Sequence, residues 1–339
     1  MRLKTRILLA ALSLLLLGSI FTYKILKASA TKSDYKTYFF VKEKETLATL
    51  IPRLNKELGL KHPFVFRKMA EKMNLEPWLK KGRYEIKADI TMRELIKTLR
   101  EGKAKTVDFV LPSVASLNKF IEVCDKKLEP DAEQFRYLLN DSVFLNKLGF
   151  SPTTVCALLI PDTYNLYYHT QPDELFIKLK KEYDIFWNEE RQNKAKHLNL
   201  TPIEVSILAS IVCKETNKND EMPIVAGLYL NRLNILMPLQ SDPTVIFAHN
   251  DFTIKRVSIE QTKIISPFNT YNTLGLPPGP ICIPSKQAIE AVLNPVAHNY
   301  LYMCAKEDFS GYHNFTNNYQ QHLINSRNYH SELNRLGVR

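Results

Sequence analysis

Glu215 is the residue of this chain best placed for acid–base chemistry. It ends the apolar stripe of the stretch TPIEVSILASIVCKET, Thr201–Thr216. Thr201 and Glu204 form a T-x-x-E capping box with Pro202 at the first helical position, so a helix starts here. At ~100° per residue, Ile207, Leu208, Ile211 and Val212 share one face, with Glu215 in the middle of that stripe and Cys213 nearly opposite. A carboxyl group on an apolar stripe loses solvation, and at a helix C-terminus it meets the negative end of the dipole. Both effects disfavour its charged form. A raised pKa is what a general acid needs at neutral pH. The competing reading is that the helix simply emerges into water at Lys214 and Glu215.

Polar segments follow that suit a ligand groove. The stretch 226–248 reads as a second amphipathic helix and then a turn carrying Gln240, Ser241 and Asp242. SPFNTYNTLGLPPGPICIPS, 266–285, is a long segment without regular structure, and a loop of that length inside a compact domain usually serves a function. SGYHNFTNNYQQH, 310–322, repeats its chemistry of amides, hydroxyls and rings. Such groups suit hydroxyl-rich neutral ligands such as sugars better than phosphates, although each Asn or Tyr alone is more often a turn former or a packing residue.

The elements that must position these residues read as an α+β arrangement. Strands are expected at 36–41, 82–86 and 106–111, and helices at 46–58, with Pro52 as a kink, 63–73 and 91–102. Three amphipathic helical runs fall between 113 and 199, interrupted by the aromatic, proline-broken stretch 158–170, a strand or a groove wall. Ile7 to Tyr23 is an uncharged apolar run behind Arg2, Lys4 and Arg6, which predicts an uncleaved membrane anchor with the remainder exported. A signal peptide cleaved near Ala28–Ala30 is the alternative, disfavoured by Lys24 and Lys27. The net charge of +11 favours anionic surroundings, but no nucleic-acid motif accompanies it. The five cysteines are widely spaced without a CxxC, which predicts free buried thiols rather than disulfides or a metal site. No His, Cys or carboxylate spacing implies a metal, and no cofactor is expected.

LASIVCKET, NRL, LQSDPTVIF, SPFNTYNTLGLPPGPI and HNF, in this order, resemble the endolytic murein transglycosylases, the YceG-like family. The likeness is dense over about 200–322 and extends more weakly through PDTY and GRYEI to the N-terminus. It implies three parts: a tail and transmembrane anchor over 1–30, a small LysM-like α+β module over 31–105, and a mixed α+β catalytic domain with a glycan-binding groove over 106–339. It further implies a single-pass inner-membrane protein with its catalytic domain in the periplasm. That domain would cleave the β-1,4 bond between N-acetylmuramic acid and N-acetylglucosamine in peptidoglycan strands, leaving 1,6-anhydro ends. The family's catalytic Glu falls on Glu215, as acid and then base. Asn231, Gln240, Ser241, Asp242, Asn269, Tyr271, Asn272, His313 and Asn314 are the implied substrate-binding or positioning residues, and peptidoglycan synthases are candidate partners. Cys213 replaces a Glu common in the family, and Ser113-Val114 replaces a Glu-Gly pair. Two other activities fit the same residues: a hydrolytic muramidase using Asp242 as base or nucleophile, and a non-catalytic cell-wall scaffold.

Overall fold

The computed structural model describes residues 23–24, 27–33, 35–102 and 104–335. Most of the expected anchor, 7–22, lies outside these residues. Among the described residues no helix is long and apolar enough to cross a membrane. The architecture is mixed α+β, mostly helical with small two-stranded sheets.

The chain separates into two compact units, one running through Asp108 with Asn165–Thr170, the other Phe109–Tyr164 with Gln171 onward. In the first, β1 (Thr37–Val41) is followed by α1 (Leu47–Leu58), α2 (Pro63–Lys72), β2 (Gly82–Ile86) and α3 (Met92–Glu101). β1 and β2 pair antiparallel, Thr37 opposite Ile86 and Val41 opposite Gly82. The alternating inward residues Phe39, Val41, Tyr84 and Ile86 join Leu50, Leu54, Phe66 and Leu95 in one core. α1 runs on through Pro52 to the left-handed Gly59. Thr91 and Glu94 close a capping box at the start of α3, and Gly102 ends it at φ 62°.

β3 (Thr106–Val110) pairs with β4 (Thr163–Tyr167), so the aromatic stretch at 158–170 contributes a strand. Between these strands come α4 (Leu117–Lys127), α5 (Ala132–Asn140) and α6 (Ser142–Lys147), and after them α7 (Pro172–Phe186) and α8 (Glu189–His197). α9 (Pro202–Glu215) is the central helix of the second unit. It is buried on every face from Val205 to Cys213, not along one stripe alone. It packs against α10 (Met222–Asn234) and α12 (Lys286–Leu293). Ser210 joins it to the loop before α12, donating to Ile207 O and accepting the Ile281 N–H.

The expected helix and turn within 226–248 are two helices. α10 begins at Met222 and is buried on successive residues from Val225 to Leu230, so it too is a core helix. α11 (Asp242–His249) is separate. Between them Leu236 and Gln240 take positive φ on either side of Pro238, which no continuous helix accommodates. β5 (Tyr302–Ala305) and β6 (His313–Thr316) pair antiparallel, and α13 (Tyr319–Arg335) packs against them. The long loop before α12 carries no helix or strand over 264–285.

Candidate active site

The C-terminal end of α9 delivers Glu215 to a cavity of about 490 Å³ within the second unit. α10 supplies Tyr229 and Arg232 to its wall, the turn and α11 supply Gln240 and Asp242, and the long loop supplies Tyr271. The hairpin β5–β6 contributes Tyr302 and His313, and α13 contributes Tyr319, His322 and Tyr329.

Two hydroxyls converge on one oxygen of Glu215. Tyr229 donates its phenolic hydrogen to Oε1 at 2.7 Å, and Ser241 donates to the same atom at 2.5 Å. Oε2 has no protein partner among the described residues, so it is the oxygen left for a ligand. Desolvation raises the pKa of Glu215, and the charge of Asp242 adds to the rise. The Ser241 and Tyr229 hydrogen bonds oppose it. Burial and the adjacent Glu215 charge hold the Tyr229 phenol well above its ordinary value, so it remains a donor.

Ser241 is held by buried threonines. Its N–H donates to Thr270 Oγ1 at 3.0 Å, and its carbonyl accepts from Thr244 Oγ1 at 2.6 Å. The Gln240 N–H donates to Thr270 O at 3.0 Å, fixing a residue at φ 50°. Arg232, 7% exposed, braces the turn and the hairpin together, donating from Nε to Leu301 O at 2.6 Å and from Nη1 to Leu239 O at 2.5 Å. Asp242 opens α11 and accepts the Tyr271 hydroxyl at 2.6 Å, while burial pushes its carboxyl above the usual range. His313 donates from its backbone N–H and from Nδ1 to the two oxygens of the buried Glu221.

Of the residues expected at the site, Glu215, Gln240, Asp242, Tyr271 and His313 line the cavity together. Ser241 meets it through Glu215. Asn231, Asn269, Asn272 and Asn314 are engaged elsewhere. The Asn231 amide donates to the carbonyls of His298 and Tyr300, fastening the chain ahead of β5. Asn269 and Asn272 donate to the carbonyls of Thr262 and Ile264, folding the long loop upon itself. Asn314 donates to Glu307 across the hairpin. Among the described residues no group of three or more His, Cys, Asp or Glu could hold a metal ion. Cys213 and Cys282 are free, buried thiols with sulfurs 3.5 Å apart.

The pattern of the YceG-like family matches residues 39–328. This chain belongs to the YceG-like family. It is 28% identical over 367 residues to an endolytic murein transglycosylase of Streptococcus pneumoniae, covering 96% of this chain and 65% of that one. It is also 28% identical over 280 residues to an endolytic murein transglycosylase of Bacillus subtilis, covering 75% of this chain and 74% of that one. The crystal structure of a yceG-like protein from Listeria monocytogenes superposes with a TM-score of 0.57 at 23% identity, over 86% of this chain and 99% of that one, and shows the shared fold.

Sequence reasoning passed over Tyr229, Arg232 and Glu221. Arg232 left a signal, a cation in the NRL motif on an otherwise apolar helix. Tyr229 left none, because among Val225, Leu228 and Leu230 it reads as core. Glu221 looks like one more charge in the loop KNDEM, and only its contact with His313, 92 positions away, sets it apart.

Proposed function

We propose that this protein is a lytic transglycosylase that cleaves the β-1,4 bond between N-acetylmuramic acid and N-acetylglucosamine within peptidoglycan strands, with Glu215 as acid and then base. Family membership and the names of the relatives support the substrate class. The observation that carries the chemistry is the pair of hydroxyl donors on Oε1 of a desolvated Glu215. With Oε1 occupied by Tyr229 and Ser241, the proton of the neutral acid resides on Oε2, the oxygen open to the ligand. Oε2 protonates the oxygen leaving C1 of the muramic acid, and the same carboxylate then receives the proton of the C6 hydroxyl that attacks C1. No water enters the products, so no second carboxylate is needed, unlike in ordinary glycoside hydrolysis.

Asp242 lines the same cavity and is the residue that would convert this site to a hydrolase. Its carboxyl already accepts the Tyr271 hydroxyl at 2.6 Å, and burial raises its pKa against that bond. The apolar run at 7–23 and its basic flanks support a single inner-membrane anchor with the catalytic unit in the periplasm, and the first unit serves as the LysM-like module.

The test is mass spectrometry of the products of uncrosslinked glycan strands treated with the full-length protein and with Glu215→Gln. The lytic reading expects anhydro-ended fragments from the first and no cleavage by the second. Reducing ends would give Asp242 the hydrolytic role, and unchanged cleavage by Glu215→Gln would remove the acid.

A further inference from the structure

One histidine of the cavity wall has its hydrogen bonding set by a residue outside that wall. Glu221 is 3% exposed and occupies the N-cap of α10, where the positive end of the helix dipole favours negative charge. Both its oxygens are engaged by His313. Oε1 accepts the backbone N–H at 2.7 Å, and Oε2 accepts from Nδ1 at 2.8 Å. A carboxylate can only accept, so Nδ1 carries the hydrogen, which makes Nε2 the acceptor whenever the ring is neutral. Among the described residues nothing bonds Nε2, and His313 shares the cavity wall with Glu215. The phenols of Tyr229 and Tyr271 give their hydrogens to carboxyl groups of the same wall.

We propose that Glu221 and His313 form a second proton-handling pair, in which His313 Nε2 is the first acceptor of the proton from the attacking C6 hydroxyl and Glu221 is its positioning residue. The proposal rests on the lytic reading. The bond from O6 to C1 forms as the bond from C1 to the leaving oxygen breaks. The leaving oxygen keeps the proton from Glu215, and the O6 proton goes to Nε2. The imidazolium, steadied by Glu221, returns it through cavity water to the Glu215 carboxylate, which restores both groups. Glu215 remains the final acceptor, and His313 is the catalytic residue that starts the transfer.

Glu221→Gln tests this without emptying space. Its amide oxygen retains the His313 N–H, while its NH2 faces Nδ1 and forces the hydrogen to Nε2, so the ring becomes a donor toward the cavity. The full-length variant is compared with wild type on uncrosslinked glycan strands, with kcat, KM and end chemistry measured and the imidazole tautomer read by nitrogen NMR. A lost general base predicts a fall in kcat on the order of 100-fold with KM little changed. It also predicts a larger share of reducing ends, because the Glu215 carboxylate can still activate a water. His313→Ala gives the same fall and the same shift of ends, and carries the comparison alone if Glu221→Gln does not fold. Wild-type kcat and wholly anhydro ends in a variant with an inverted or missing imidazole would overturn the proposal and leave the lytic reading intact. Reducing ends from wild type itself would instead overturn the lytic reading.

Discussion

Two opposed influences set the proton affinity of Glu215, desolvation favouring its neutral form and the Ser241 and Tyr229 hydroxyls favouring its charge. Removing one donor shifts the balance in a known direction. Tyr229→Phe raises the Glu215 pKa further, so the basic limb of the pH–rate profile moves to higher pH. A limb that stays or moves down contradicts the assignment of Oε1. The same shift bears on stability. Folded Glu215 binds its proton more tightly than in the unfolded chain, where the ordinary value is 4.5. Where the folded state binds more protons than the unfolded, stability falls as pH rises through the folded pKa. Glu215→Gln escapes that loss. Its stability relative to wild type therefore grows as pH rises, and the difference closes below about pH 4.5, as denaturant melts across pH would record. The helical wheel made Glu215 legible because its stripe is local. The donors that decide which oxygen carries the proton lie 14 and 26 positions away, on another helix and in a turn, where no period in the sequence connects them.

α9 brings Glu215 to the cavity because its other faces are fully occupied. Its start was readable from Thr201, Pro202 and Glu204, whose capping geometry is local. α10 was harder, since a helix buried all round lacks the one-sided pattern from which an amphipathic helix is recognised. β5, β6, α12 and α13 were not anticipated. The hairpin strands are short and half-buried on successive residues, leaving no alternation to read. The four asparagines expected at the ligand instead brace loops and the hairpin, since an amide suits a carbonyl as well as it suits a sugar hydroxyl. Two substitutions probe these elements. A Cβ at Gly227 of α10 would lie 2.6 Å from the backbone oxygen of Val296, so Gly227→Ala forces α10 away from that segment. A loss of about 1–3 kcal/mol in denaturant melts is expected, as for other overpacked sites. Thr270→Val removes the acceptor of the buried Ser241 N–H at about 1–3 kcal/mol. It also loosens Ser241 from Glu215, so cleavage falls beyond what the lost stability explains. Wild-type melting would show that Ser241 is held by other means.

On the proposed function, the net charge of +11 sets how the whole molecule meets the glycan polymer. A cationic protein on a carboxylate-bearing polymer associates through screened attraction, and the Debye length shrinks from about 10 Å at 0.1 M salt to about 3 Å at 1 M. Co-sedimentation with isolated cell-wall polymer is therefore expected to weaken steadily across that range, equally for wild type and Glu215→Gln. The division into two units was legible only in part. Sequence patterns mark β1 through α3 as a module, but the return of Asn165–Thr170 to the first unit depends on the pairing of β3 with β4, a long-range contact. On the proposed mechanism one desolvated carboxyl group cleaves the glycan strand while the substrate's own hydroxyl replaces water. In water enriched in heavy oxygen, newly formed ends are therefore expected to carry no label, and Glu215→Gln is expected to form none. Label at the C1 end of each cleaved bond would contradict that mechanism and make the protein a hydrolase.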